Sequence, residues 1–130
     1  MPVCFSGVEK RRTWSDCGGD VERRFSKDEL IDTVMLYWVT GSYHTSARYY
    51  YEGAHNPWQP TNDQLPVVAA PTAVAIFPAD LIHPARRWAD RYYNLQQWTK
   101  MSSGGHFVPM EEPEALVEDV RRSFRDKRRT

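Results

Sequence analysis

From Ser26 onward the apolar positions recur at helical spacing. Leu30, Ile31, Val34, Met35 and Trp38 fall one, three and four residues apart, which lays a wide apolar stripe along one helix. Ser26-Lys27-Asp28-Glu29 has the Ser-x-x-Glu spacing of a capping box with acids in the first turn, and Gly41 is a terminator, so a helix is predicted over 26–39. A shorter helical segment, 45–52, carries three consecutive tyrosines, Tyr49 to Tyr51. Residues 53–65 are rich in Pro, Asn and Gly and read as a connection and a domain boundary. The pattern then changes. Residues 66–78 are nearly continuously apolar and rich in valine, as in a parallel strand buried on both faces, and the strand is placed at 72–77. A helix over 84–92 with Trp88 on its inner face, a strand over 96–101 and a helix over 111–124 follow. Leu116, Val117, Val120 and Phe124 form the packing stripe of the last helix, with Glu111, Glu112 and Glu114 at its positive end and Arg121, Arg122, Arg125 and Lys127 toward its negative end. Residues 1–25 show no such period and read as irregular: 14–20 is turn-rich, and Glu9-Lys10-Arg11-Arg12 reads as a solvated charged face.

Strand, helix, strand over 72–101 is a βαβ unit, whose right-handed crossover makes the two strands parallel. The fold class is therefore α/β. Two parallel strands cannot cover both faces and both edges of so apolar a run, so more strands are expected beside them. The first strand and the stripe Leu30, Val34, Trp38 are expected to leave apolar surface exposed.

Whole-chain numbers change this picture little. The chain has 130 residues, zero formal net charge, 41% hydrophobic and 26% charged residues, the composition of an ordinary soluble globular chain. No apolar run is long enough to span a bilayer and the first residues lack a signal-peptide pattern, so a cytoplasmic location and no membrane partner are expected. Cys4 and Cys17 lack CxxC spacing and are read as free thiols. His44, His55, His83 and His106 are scattered without metal-ligand spacing, so no metal or other cofactor is expected. Zero net charge disfavours a nucleic-acid binder, and the basic residues of 122–130 have a simpler cause in the helix dipole.

The candidate chemistry lies after the two strands. Gly104 and Gly105 allow a sharp turn that holds His106 out of a loop between a strand and a helix, and Asp80 follows the other strand. Parallel strands send both loops to one sheet edge, where a carboxylate and an imidazole can pair; a surface histidine in a glycine turn is the plainer alternative. Acid first and histidine last is also the order of the final two triad members in α/β-hydrolases. Among Tyr49 to Tyr51, adjacent helical positions point in different directions, so at least one is expected to present its hydroxyl to a cleft or to solvent. Core aromatics with satisfied hydroxyls are the alternative there.

Several segments together, Trp14-Ser15-Asp16-Cys17-Gly18-Gly19-Asp20, residues 27–41, Ser46-Ala47-Arg48-Tyr49-Tyr50-Tyr51-Glu52, residues 71–78 and Gly104-Gly105-His106-Phe107 through Pro113, resemble the C-terminal portion of microsomal-type epoxide hydrolases, which have the α/β-hydrolase fold. The resemblance covers about Glu9 to Arg125. It implies that residues 1–65 are the end of a helical cap with its connecting loop, and that 66–130 are the end of the core, with its last two parallel strands and flanking helices. It also implies roles: His106 as the base that activates water, Asp80 as the acid that orients it, and Tyr50 as one of two cap tyrosines that protonate the epoxide oxygen. The family opens a small-molecule epoxide through an aspartyl ester and needs no cofactor. Its nucleophile, oxyanion-hole loop and second tyrosine precede the matched region, and Arg11 and Arg12 replace a more apolar segment. The chain is accordingly expected to be a truncated or split product, inactive alone, with an N-terminal hydrolase fragment or self-association as its partner. Haloalkane dehalogenation is a competing chemistry, disfavoured by Tyr50 because a halide needs no proton donor. A non-catalytic interaction module, or RNA binding through the tail, is a third class.

Overall fold

The computed structural model describes residues 2–57, 59 and 63–125, with side chains from Gly7 onward. Two compact units account for them: residues 1–13 with 17–61, and residues 14–16 with 62–130. The basic tail beyond Arg125 and the middle of the connection at 58 and 60–62 lie outside the described residues, as does the side chain of Cys4.

Helix α1 (Pro2–Trp14), in the first unit but for its last residue, replaces the irregular segment expected there. The helix starts with Pro2, whose missing N–H is harmless at a first turn, and ends with Arg11 and Arg12 against the negative end of its dipole. Those two arginines are also structural contacts rather than a merely solvated face. Arg11 donates to the Thr33 hydroxyl at 3.1 Å and lies over the Phe25 ring, while Arg12 Nε donates to the Gly19 carbonyl at 2.7 Å. Phe25 and the free thiol Cys17, each 1% exposed, are the most deeply buried side chains among the described residues.

Helix α2 (Lys27–Thr40) has the expected capping box: the Ser26 hydroxyl accepts from Glu29 N–H, and the Glu29 carboxylate accepts from Ser26 N–H at 2.7 Å. Gly41 ends it at φ 61° in the left-handed region. Of its apolar stripe only Leu30 is buried; Ile31, Met35 and Trp38 are exposed, so the stripe is correctly periodic yet largely uncovered. Helix α3 (Tyr43–His55) runs three residues past the expected end, with the His55 ring stacked on Tyr51.

The second unit holds a two-stranded parallel sheet, β1 (Val68–Ile76) beside β2 (Tyr93–Lys100), as the βαβ reading requires. Both strands begin earlier than expected. Pro71 lacks an N–H and would argue against a strand, but the register shifts between Val68 and Pro71 and again between Thr72 and Ala73, and irregular pairing of this kind tolerates proline. Helix α4 (Arg86–Tyr92) passes straight into β2 at Tyr93. Its buried residue is Ala89; Trp88, expected to face inward, is 44% exposed and packs beside Tyr92 and Tyr93.

The single helix expected over 111–124 is two, α5 (Val108–Glu111) and α6 (Pro113–Phe124). Proline disfavours helical angles in the residue before it, and Glu112 accordingly sits at φ −141°, ψ 58°. Glu111 therefore ends α5 and lies outside the first turn of α6. Val117, Val120 and Phe124 are exposed, while Asp119 is buried on the same helix, accepting from the Thr99 hydroxyl of β2 at 2.7 Å and pairing with Arg122.

Candidate active site

Beyond the strands the parallel pairing continues for one more step. Met101 N–H donates to the Ile76 carbonyl at 2.9 Å, Ala79 N–H donates to the Gly104 carbonyl at 3.1 Å, and Ala79 and Gly105 form an isolated parallel bridge. Asp80 and His106 each follow one member of that bridge. Their side chains meet, with His106 Nδ1 3.0 Å from Asp80 Oδ1. The same Oδ1 accepts from Leu81 N–H at 2.7 Å, which fixes the carboxylate from its own loop. With Nδ1 protonated and donating to Asp80, Nε2 carries the lone pair; the His106 side chain is 43% exposed, so that nitrogen can meet a water or a substrate.

Two glycines make the approach possible. Gly104 has φ +100°, and a Cβ there would come 3.0 Å from the Phe77 ring and 3.1 Å from Glu112 Cγ. A Cβ on Gly105 would lie 2.7 Å from the Trp14 carbonyl oxygen and 2.9 Å from Ser15 Cα. The backbone of residues 14–16 runs hard against the histidine loop.

That neighbour went unread in the sequence. His106 N–H donates to the Trp14 carbonyl at 2.8 Å, and the indole meets the imidazole edge-on with centroids 5.3 Å apart. Asp16 Oδ2 accepts from Gly104 N–H at 3.0 Å. Glu111, 7% exposed, accepts from Asp16 N–H at 2.7 Å through one oxygen and from Phe107 N–H at 2.9 Å through the other. Glu111 carried a partial signal: Pro113 removes Glu112 from helical angles, which breaks the helix and leaves this acid at the end of the short α5 beside the loop. For Trp14 and Asp16 the sequence carried no local signal, since their partners lie some ninety residues away.

Tyr50 stands in the first unit, on α3. It is 55% exposed, has the Lys10 ammonium 3.9 Å from its ring centroid, and lines a pocket of about 480 Å³ with Tyr37, Tyr43 and Tyr49. Tyr49 and Tyr51 are also exposed, so none of the three tyrosines is a core residue. The structure thus brings Asp80 and His106 together and keeps Tyr50 in a separate unit. Among the described residues no group of three or more His, Cys, Asp or Glu is placed to hold a metal ion, and no helix is long and apolar enough to cross a membrane.

No family model matches the chain. It is 36% identical over 122 residues to epoxide hydrolase 1 of Sus scrofa, a match spanning 88% of this chain and 27% of that protein. It is 40% identical over 104 residues to juvenile hormone epoxide hydrolase 2 of Ctenocephalides felis, spanning 78% of this chain and 22% of that one. The chain therefore spans roughly a quarter of the length of the curated relatives it matches. Among solved structures, juvenile hormone epoxide hydrolase from the silkworm Bombyx mori superposes with a TM-score of 0.80 at 31% identity, covering 93% of this chain and 30% of that one. An epoxide hydrolase variant from Aspergillus niger gives 0.73 at 26% identity, covering 95% and 30%. The parallel βαβ unit and these matches agree: the chain belongs to the epoxide hydrolases of the α/β-hydrolase fold and corresponds to their C-terminal part.

Proposed function

We propose that this chain supplies the water-activating half of an epoxide-opening site, with an epoxide as its small-molecule substrate and the attacking aspartate contributed by protein outside these 130 residues. The observation that carries the reading is the 3.0 Å contact between His106 Nδ1 and Asp80 Oδ1 at the carboxyl ends of two parallel strands. In the first step the aspartate attacks an epoxide carbon, the C–O bond breaks, and the alkoxide oxygen takes the proton of the Tyr50 hydroxyl. In the second, His106 Nε2 takes a proton from water as that water attacks the ester carbonyl, while Asp80 holds the imidazole and stabilises its positive charge. Collapse of the tetrahedral intermediate releases the diol and the free carboxylate, and the proton on His106 returns to the tyrosinate. The balance is one epoxide and one water to one diol.

The sheet supports an N-terminal hydrolase portion as the partner. β1 is paired along one edge, and Val68 to Pro71 and Ala73 are exposed, which suits docking against the remaining strands of a hydrolase core. The chain alone is expected to be inactive. Mixing it with an N-terminal hydrolase portion carrying the aspartate tests this: recovery of diol formation supports the reading, and no recovery with a correctly assembled pair overturns it.

A further inference from the structure

The water-activating role rests on one histidine in a loop that is exposed on one side, and something must keep that loop in place. The Ala79–Gly105 bridge ends one residue short of His106, and α5 begins only at Val108. Around and beyond that bridge the backbone N–H groups of Gly104, His106 and Phe107 are each taken by a residue that is not part of the strands. Gly104 N–H goes to the Asp16 carboxylate, His106 N–H to the Trp14 carbonyl and Phe107 N–H to the Glu111 carboxylate. Glu111 closes the circuit by accepting from Asp16 N–H as well.

We propose that Asp16 and Glu111 are positioning residues that clamp the segment 14–16 to the loop 104–107 and so hold the His106 imidazole against Asp80. The clamp is reciprocal: Asp16 grips the loop through its side chain and is itself gripped through its backbone. Carboxylates suit the task because hydrogen bonds to an ionised acceptor are shorter and stronger than those between neutral groups. Both oxygens of Glu111 meet donors, so an amide cannot substitute cleanly: in Glu111→Gln the NH₂ group must face either Asp16 N–H or Phe107 N–H, donor against donor. Asp16→Asn is milder, because its carbonyl oxygen can still accept from Gly104 N–H. The inference deepens the proposed reaction, since it concerns the same histidine, but the geometry it claims exists in the chain whether or not an epoxide is ever turned over.

The test reads that geometry first. Long-range proton–nitrogen correlation spectra of the whole chain, with His106 assigned by His106→Ala, report which ring nitrogen carries the proton. The clamp predicts an Nδ1–H tautomer held by Asp80 in the parent chain and in Asp16→Asn, lost toward the usual mixture in Glu111→Gln and Asp16→Ala. Gly105→Ala, which keeps both carboxylates but drives a methyl against the Trp14 carbonyl, should lose it too and covers the case where Glu111→Gln fails to fold. An unchanged His106 tautomer in Glu111→Gln, or in Asp16→Ala and Gly105→Ala together, overturns the clamp. In the assembled enzyme, a displaced base should slow ester hydrolysis roughly 10- to 100-fold in Glu111→Gln, with ester formation unaltered. A lost tautomer with unaltered ester hydrolysis overturns the positioning role. If the parent assembly forms no ester at all, the proposed reaction fails while the tautomer series still decides the clamp.

Discussion

Asp80 and His106 each follow one member of the Ala79–Gly105 bridge, and that shared offset puts the carboxylate 3.0 Å from the imidazole. The pairing is a consequence of strand register. Two loops leaving parallel strands at matched positions deliver their next side chains to the same point, with no long-range search required.

Asp80→Asn separates the charge of this acid from its shape. The amide oxygen can still accept from both Leu81 N–H and the imidazole, as Oδ1 of Asp80 does, but it cannot stabilise imidazolium as an anion does. Breakdown of the ester in the assembled enzyme should fall about 100-fold or more, with its formation little changed. Rapid-quench measurement of ester decay checks this; parent-like decay would remove Asp80 from the site.

The left-handed glycines should rank by what surrounds them. At Gly41 a Cβ meets nothing within 4 Å, so Gly41→Ala carries only the left-handed backbone penalty of roughly 1–2 kcal/mol. At Gly104 the φ of +100° adds to contacts of 3.0 and 3.1 Å, so Gly104→Ala should cost roughly 2–3 kcal/mol. Gly53, in a helix and open, should gain stability as alanine. Urea unfolding of the three variants gives the order directly, and a Gly41 penalty at or above that of Gly104 would contradict it.

How legible the chain was depends on whether the signal was local. The capping box at Ser26, the stop at Gly41 and the parallel pair β1 and β2 were all readable, because caps and apolar runs declare themselves within a few residues. Asp80 beside His106 was readable as well, through topology. Helix α1 was missed because its cues, Pro2 and the closing arginines, were outweighed by the turn signals that follow it. Trp88 and the stripes on α2 and α6 show a different limit: periodicity identifies which face is apolar but not whether anything in these residues covers it. The clamp of Asp16 and Glu111 was half hidden, since one partner follows from a proline rule and the other exists only in three dimensions.

Acid should unfasten α2 through Glu29. The Ser26 backbone N–H, and after it the Ser26 hydroxyl, hold the Glu29 carboxyl below its usual value of 4.5. A depressed folded value means the stabilisation is fully present above the unfolded value and is lost as pH falls from about 4.5 through the lower folded one. The melting temperature of the parent should therefore exceed that of Glu29→Gln at pH 7, and the difference should shrink progressively as pH falls below about 4.5. A difference that does not change with pH would mean the cap works without its charge.

Tyr50 and His106 belong to different steps of the proposed reaction, and that gives the sharpest test of the assignments. Proton donation to the epoxide oxygen belongs to ring opening, so Tyr50→Phe should slow ester formation, by roughly 10²- to 10⁴-fold if Tyr50 is the main donor and less if a second tyrosine shares the role. Water activation belongs to ester breakdown, so His106→Gln should leave ring opening intact and trap the ester on the partner's aspartate, seen as a mass increase equal to the substrate. The pocket lined by Tyr50 is in the first unit and the acid–base pair in the second, so neither substitution should disturb the local structure of the other. Mass spectrometry of the aspartate-bearing portion after a single turnover separates the outcomes. A trapped ester with Tyr50→Phe and none with His106→Gln would reverse the roles, and steady turnover in both variants would place the chemistry on other residues.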